Sequence, residues 1–118
     1  MTNFKELFSF SKKEIDMAFS QATVCNQRRG LKLLQAKPED KPIPFGKMLI
    51  VIPAKVGTAN KRNLIKRRLK AVFYEEKLFE KSRIYIMLVY KPAVDLSFEQ
   101  LKEFLVQSLC EQSTSKDS

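Results

Sequence analysis

The stretch that decides the fold is residues 47–74, which read KMLIVIPAKVGTANKRNLIKRRLKAVFY. Five of its first six residues are apolar, which predicts a buried β-strand, and Pro53 ends that strand. We expect a helix to begin near Thr58, which can cap it, and to run to about Leu78. At 100° per residue, one arc about 100° wide contains four apolar side chains. These are Ile65, Leu69, Val72 and Phe73, and they predict the buried face of the helix.

The rest of this helix carries basic side chains in rows. Side chains three or four residues apart are neighbours on a helix surface, so like charges at that spacing repel by a few tenths of a kcal/mol, about 0.2–0.5 per pair. Three rows are predicted: the ridge Arg62, Lys66 and Lys70, a second row of Asn63 and Arg67, and, on the other flank, Lys61 and Arg68. No acidic residue in the stretch relieves the repulsion. A polyanionic partner would supply the missing charge.

The net charge of the whole chain resides in this region. The protein has 118 residues and a formal net charge of +9. Residues 41–74 contain nine basic residues and no acidic one, while the other 13 basic residues are balanced by 13 acidic ones. A face that only confers solubility usually mixes both signs, as this chain does elsewhere. The segregated charge therefore favours binding of a polyanion.

Composition excludes several classes of function. The chain has no histidine, so it has no Ser-His-Asp or Cys-His catalysis and no histidine-containing zinc site. Its three glycines are too far apart for a dinucleotide-binding fingerprint or a P-loop. We expect the two cysteines, Cys25 and Cys110, to be free thiols. No signal pattern and no apolar run of about 18 residues is present, so we expect a cytoplasmic protein and no membrane partner.

Capping signals locate the other helices. Ser11 and Glu14 form a predicted capping box for a helix over residues 12–21, and Ser97 and Gln100 form one for the last helix. Further strands are predicted at residues 23–26, 31–36 and 83–90. The order αβββαβα predicts an α+β fold, a two-layer sandwich of helices against a small sheet. We expect residues 1–111 to form a single domain and residues 112–118 to be a disordered polar tail.

Residues 54–68, AKVGTANKRNLIKRR, resemble the signature of the bacterial ribonuclease P protein family. The resemblance extends over about residues 8–110. It implies the ribosomal protein S5 domain 2-like fold, with a left-handed crossover that joins the third and fourth strands through the basic helix. It also implies a function, as the protein half of a ribonucleoprotein endonuclease that removes the 5′ leader from precursor tRNA. The RNA subunit and its Mg²⁺ ions would carry the hydrolysis, so we expect no catalytic residue and no metal ligand on the protein.

The resemblance implies particular contacts with the catalytic RNA or the substrate. The residues that match the family motif are Lys55, Arg62, Asn63, Lys66 and Arg67. Charge and position add Lys61, Arg68 and Lys70 as RNA-binding candidates.

Two departures from the family pattern concern the same surface. Leu64 stands where the family usually has Arg, and on the helical wheel it points away from the buried arc. Phe19 matches one of the aromatic positions that line a cleft for the single-stranded leader, while the second strand has no aromatic residue. Lys32 on that strand is a further candidate for the leader cleft, through the leader phosphates.

Other classes of protein share parts of this pattern. A structural RNA-binding protein of ribosomal type would use the same electrostatics without any effect on cleavage. A helix-turn-helix DNA reader needs a short helix before its recognition helix, whereas here a strand pattern precedes it. A protein nuclease acting alone needs clustered carboxylates, and the acidic residues are better explained as solvated charges. The spacing of the basic motif favours the ribonuclease P family over these alternatives.

Overall fold

The computed structural model describes residues 4–36, 45–80 and 83–115, with side chains described as far as Ser108. Three α-helices and four strands follow one another in the predicted order. They are α1 (Lys12–Gln21), β1 (Thr23–Arg28), β2 (Leu31–Ala36), β3 (Lys47–Val51), α2 (Ala59–Glu75), β4 (Ile84–Val89) and α3 (Phe98–Ser115). The polar loop expected at residues 37–42, which includes Lys41, lies outside the described residues.

The four strands form one sheet in the order β1-β2-β4-β3. β1 pairs with β2 and β2 with β4 in antiparallel fashion, while β3 and β4 are parallel. A parallel pair needs a crossover connection, and α2 is that connection. The sequence-based α+β fold is confirmed, and the hand of the crossover stays a prediction of the family resemblance.

The two faces of the sheet are covered differently. Alternate residues of β2 point to opposite faces, so Leu31 and Leu33 join a core cluster with α2 and α3, while Leu34 and Ala36 join a second cluster with α1. The first cluster is the larger and contains the helix layer predicted from the sequence. α1 lies over part of the opposite face through Ala18, which is 1% exposed. Lys32, Leu34 and Leu88 on that face are partly exposed.

The ends of α2 follow from local chemistry. The hydroxyl of Thr58 accepts a hydrogen bond from the backbone N–H of Lys61, as expected for a cap. The helix ends at Glu75, three residues before the predicted end at Leu78. Lys77 has a φ of 54°, which a helix cannot continue through, and a short 3-10 helix follows at Leu78–Glu80. The apolar Leu78 and Phe79 extended the hydrophobic pattern beyond the true end of the helix.

A 3-10 helix over Phe4–Phe8 is an element that the sequence-based prediction did not include. It lies against β3, an edge strand of the sheet, with Leu7 fully buried. Phe8 meets Phe73 of α2 edge-on, with ring centroids 5.8 Å apart. The i, i+3, i+4 spacing of Phe4, Leu7 and Phe8 carried the signal, but five residues are too few for a periodic pattern to be decisive.

α3 begins with the predicted reciprocal capping pair, in which Ser97 and Gln100 each accept a hydrogen bond from the other's backbone N–H. Ser108, 2% exposed, joins this helix to β1, since its hydroxyl accepts a hydrogen bond from the Asn26 amide at 2.8 Å. The helix continues to Ser115, so the backbone of residues 112–115 is helical where a disordered tail was predicted. No glycine or proline interrupts this stretch, and residues 116–118 lie outside the described ones. Among the described residues, no helix has the length and apolarity required to cross a membrane.

A lysine at the start of β3 contacts the N-terminal end of α1. Lys47, at the start of β3, donates a hydrogen bond to the Glu14 carboxylate at 3.1 Å, and its ammonium lies 4.6 Å from the ring centroid of Phe10. Glu14 also accepts a hydrogen bond from the Ser11 backbone N–H, which completes the predicted capping box. The Ser11 N–H, and then the Lys47 ammonium, hold the pKa of Glu14 below its usual value, although partial burial opposes them. The Lys47–Glu14 contact therefore joins the N-terminus of α1 to the sheet.

The stability that Glu14 contributes should depend on pH. Because its pKa is lowered in the folded protein, this contribution is present above the unfolded-state pKa of about 4.3 and is lost as the pH falls through the lower folded-state value. Glu14→Gln, which retains the capping geometry, should therefore reduce stability at pH 7 and have much less effect at pH 3. Urea unfolding at the two pH values measures the difference. An equal loss at both would show that the charge is irrelevant.

Candidate nucleic-acid interface

The basic rows of α2 face away from the core. The predicted buried side chains Ile65, Leu69, Val72 and Phe73 are confirmed, each at 1% exposure or less. α2 has no acidic residue in its first turn, so its positive dipole end is not neutralised by its own side chains. Within the described residues, none of the three ridge side chains forms an ion pair. The ridge is therefore a row of uncompensated positive charge.

Arg62, the first residue of the ridge, is partly buried and held by the backbone. Its Nε donates a hydrogen bond at 3.2 Å to the carbonyl of Gly57, just before the helix begins. A carbonyl orients the guanidinium without cancelling its charge. The remaining guanidinium N–H groups keep the fork geometry that suits a phosphate.

Lys70, at the other end of the ridge, is held by an aromatic ring. Its ammonium lies 5.3 Å from the ring centroid of Phe8, in the N-terminal 3-10 helix. Such a contact attracts the cation through the ring quadrupole and, like the Gly57 carbonyl at Arg62, leaves the positive charge in place. Sequence reasoning missed Phe8, because the contact depends on the position of an element that was not predicted.

The other flank of α2 faces the segment before α3. The Arg68 Nη1 donates a hydrogen bond at 3.1 Å to the carbonyl of Leu96. Lys61 pairs with Asp95 at 3.4 Å, where both side chains are more than half exposed. The two residues predicted for this flank are thus engaged by the protein itself. Arg68 in particular has a structural role beside any contact with RNA.

Four of the predicted RNA-binding residues are exposed and make no side-chain hydrogen bond or ion pair within the described part of the chain. They are Lys55, Asn63, Lys66 and Arg67. Lys55 lies in a 3-10 helix (Ala54–Val56) immediately before α2. Leu64 is 37% exposed, which confirms that it points away from the core. The surface thus combines oriented cations with free ones around an exposed leucine.

The two leader-cleft candidates lie on the opposite side of the sheet from α2. Phe19 on α1 is 45% exposed, so its ring is not part of the core. Lys32 lies on the face of β2 that α1 partly covers, opposite Leu88 of β4 in the strand register. Cross-strand neighbours of this kind share one face of the sheet. Lys32 thus lies on the sheet face that α1 partly covers, and Phe19 is an exposed residue of α1 itself.

The described residues offer no cluster of metal ligands and one partly buried free thiol. They contain no group of three or more Cys, Asp or Glu side chains that could hold a metal ion, so they do not fit a Mg²⁺ site. Cys25 is a free thiol, and burial raises its pKa to about 11, which disfavours the nucleophilic thiolate. The side chain of Cys110 lies outside the described residues. The basic rows of α2 can neutralise phosphate charge.

Comparison with known proteins assigns the family. The family profile described as Ribonuclease P matches residues 5–112. The chain belongs to the ribonuclease P protein family. A relative, the ribonuclease P protein component of Bacillus velezensis, is 29% identical over 109 residues, which cover 88% of this chain and 91% of the relative. The family assignment confirms the resemblance predicted from residues 54–68.

Solved structures of the family share the fold. The ribonuclease P protein of Staphylococcus aureus matches with a TM-score of 0.75 at 18% identity, over 90% of this chain and 94% of that one. The protein from Thermotoga maritima matches with a TM-score of 0.71 at 19% identity, over 86% and 94% of the two chains. A strand and a short 3-10 helix, rather than a helix-turn-helix unit, precede α2. The DNA-reader alternative therefore does not fit.

Two adjacent arginines of α2 should behave differently when replaced. Arg68→Ala removes the donor to the Leu96 carbonyl, so it should lower the free energy of unfolding by about 1 kcal/mol. Arg67→Ala removes an exposed side chain and should change it by less than about 0.5 kcal/mol. Urea unfolding of the two variants against the native protein measures both effects. Equal losses would contradict the assignment of Arg68 to a structural contact.

Proposed function

We propose that this chain is the protein subunit of a ribonuclease P ribonucleoprotein, which removes the 5′ leader of precursor tRNA in the cytoplasm. Its partners in this proposal are the ribonuclease P RNA subunit and precursor tRNA, and neither DNA nor a membrane. The observation that carries the proposal is the basic surface of α2, whose ridge cations form no ion pair among the described residues, in a chain that belongs to this family. A surface of oriented, unpaired cations suits the backbone of RNA.

In this proposal, the protein binds and the RNA subunit catalyses. Mg²⁺ ions would be held mainly by the RNA subunit and the substrate, and would supply Lewis-acid chemistry for hydrolysis of the phosphodiester. The protein lowers the electrostatic cost of bringing two polyanions together. Arg62, Asn63, Lys66 and Arg67 contact RNA phosphates along α2, with Lys55 just before the helix. Arg68 and Lys70 add positive charge from positions that the fold already holds, and Lys61 adds less because it pairs with Asp95.

The leader would run along the sheet face that α1 leaves uncovered. Phe19 offers an exposed ring for a base, and Lys32 offers a cation for the phosphates. This path is on the opposite face of the sheet from α2, but Lys55 precedes α2 at the end of the sheet where β3 stops. The protein could thus hold the leader and the catalytic RNA at the same time.

Reconstituted cleavage tests the proposed function. The full-length protein, mixed with its RNA subunit and a precursor tRNA at low Mg²⁺, should accelerate release of the 5′ leader, while the protein alone should release none. Low Mg²⁺ is the sensitive condition, because protein cations then carry more of the charge neutralisation. The readout is the length of the 5′-labelled product. Tight RNA binding with no stimulation would instead support a structural RNA-binding role.

The salt dependence of RNA binding should report the number of phosphates neutralised. If about five are neutralised, log K against log salt should fall with a slope of roughly −3.5 to −4.5. Lys66→Ala should make the slope shallower by about 0.7–0.9, since one exposed ridge cation is lost. Lys102→Ala on α3 is the matched control, because Lys102 is exposed but pairs with Glu76 at 3.4 Å. If Lys66→Ala has the same salt slope as the native protein, Lys66 does not contact RNA at the interface.

A further inference from the structure

Besides Phe19, the aromatic side chain of Tyr90 is also exposed. Tyr90 follows β4 directly, its side chain is 42% exposed, and its hydroxyl makes no hydrogen bond within the described residues. Its backbone is extended, with φ −111° and ψ 170°. Side chains two residues apart in extended backbone share a face, so Tyr90 lies on the same face as Leu88. Leu88 belongs to the cluster beneath α1 and is the register partner of Lys32.

The backbone around Tyr90 is held on both sides. The Tyr90 N–H donates a hydrogen bond at 2.8 Å to the carbonyl of Gly30, and the Tyr90 carbonyl accepts one at 3.0 Å from Ala93. Gly30 has a φ of 84°, and a Cβ there would lie 2.7 Å from the Ala93 nitrogen, so only glycine permits this approach. The ring is thus presented from a fixed backbone, which lowers the entropy lost when a ligand binds.

Tyr90 is one wall of an open pocket. The pocket has a volume of about 420 Å³ and is lined by Pro53, Lys55, Val56, Tyr90 and Lys91. That volume lies in the range of about 300–1,000 Å³ that small-molecule sites occupy. Its lining is an aromatic ring, two aliphatic side chains and two lysines, with no acidic residue. An apolar slot with a ring and two cations complements a flat base that carries a phosphate on either side.

We propose that this pocket binds one nucleobase of the single-stranded 5′ leader, stacked on Tyr90, with Lys55 and Lys91 contacting the flanking phosphates. The proposal rests on the proposed function, because it takes the leader of precursor tRNA as the occupant. Base stacking on an aromatic side chain tolerates any base, so the site should show little sequence preference. Tyr90 would supply an aromatic contact on a face of the sheet where β2 has no aromatic residue.

Tyr90 variants in the assembled holoenzyme test the proposal. Tyr90→Ala should weaken binding of a precursor tRNA with a long leader by about 5- to 150-fold, the range that stacking of one base implies. Tyr90→Phe, which keeps the ring, should stay within about twofold of the native protein. Binding of mature tRNA, which has no leader, should be unchanged in both variants. Thermal melting of each variant shows whether the fold is kept.

Leader length identifies the occupant. Shortening the leader one nucleotide at a time should abolish the difference between the native protein and Tyr90→Ala at a single step, when the stacked nucleotide is removed. A difference that persists with mature tRNA would assign the pocket to the RNA subunit and overturn the proposal. Equal affinities of the native protein and Tyr90→Ala for every leader would also overturn it.

The same experiments separate this proposal from the proposed function. If the native holoenzyme neither cleaves the precursor nor prefers a leader-bearing substrate, the proposed function itself fails. If the native holoenzyme does both, and Tyr90→Ala does both equally well, only the Tyr90 pocket fails.

A tryptophan reporter gives an independent readout. The chain has no tryptophan, so Tyr90→Trp introduces a single one. Its fluorescence in the holoenzyme should be quenched when a leader-bearing precursor replaces mature tRNA, since a stacked base contacts the indole. Tyr74→Trp is the matched control, because Tyr74 is also 42% exposed but packs against Phe4 and Phe79. Equal responses from the two reporters, or none from Tyr90→Trp, would contradict stacking at Tyr90.

Discussion

Burial of one arc of α2 against the sheet is the contact on which the rest of the structure depends. The helix is the crossover between the two parallel strands β3 and β4, so its docking fixes the β3–β4 edge of the sheet. The same docking sets its rotation, because Ile65, Leu69 and Phe73 can be buried together in only one orientation. Every basic row then faces outward. The burial of this arc thus determines both the fold at the β3–β4 edge and the side of α2 that carries the basic residues.

The way in which the protein holds its cations matters for binding. A carboxylate partner would orient a lysine or arginine but also cancel its charge. At Arg62, Arg68 and Lys70 the partner is instead a backbone carbonyl or an aromatic ring. These contacts restrain the side chains and leave the field of the surface intact. Lys61 is the exception, since it pairs with Asp95 near the segment that leads into α3.

Features encoded locally were predictable from the sequence. The capping boxes of α1 and α3, the bounds of β2 and the buried arc of α2 depend on residues within a few positions of each other. The family resemblance supplied the predicted hand of the crossover and the identity of the polyanion as RNA, while helical spacing and charge supplied the basic rows themselves.

Features that depend on tertiary contacts were missed. The Phe4–Phe8 helix is defined by its contact with an edge strand, and the Lys47–Glu14 contact joins residues 33 positions apart. The pocket around Tyr90 forms only when the ends of β3 and β4 and the turn at Gly30 come together in the folded protein. No local pattern in the sequence marks Tyr90 as different from the buried residues before it.

The two edges of the sheet have a consequence for the free protein. An open strand edge can recruit the same edge of another molecule, which leads to aggregation. The Phe4–Phe8 helix packs against β3 at one edge, and β1 at the other edge has an irregularity between Val24 and Asn26. Both arrangements hinder strand addition between copies. Neither edge of the described sheet is therefore a regular, fully open strand.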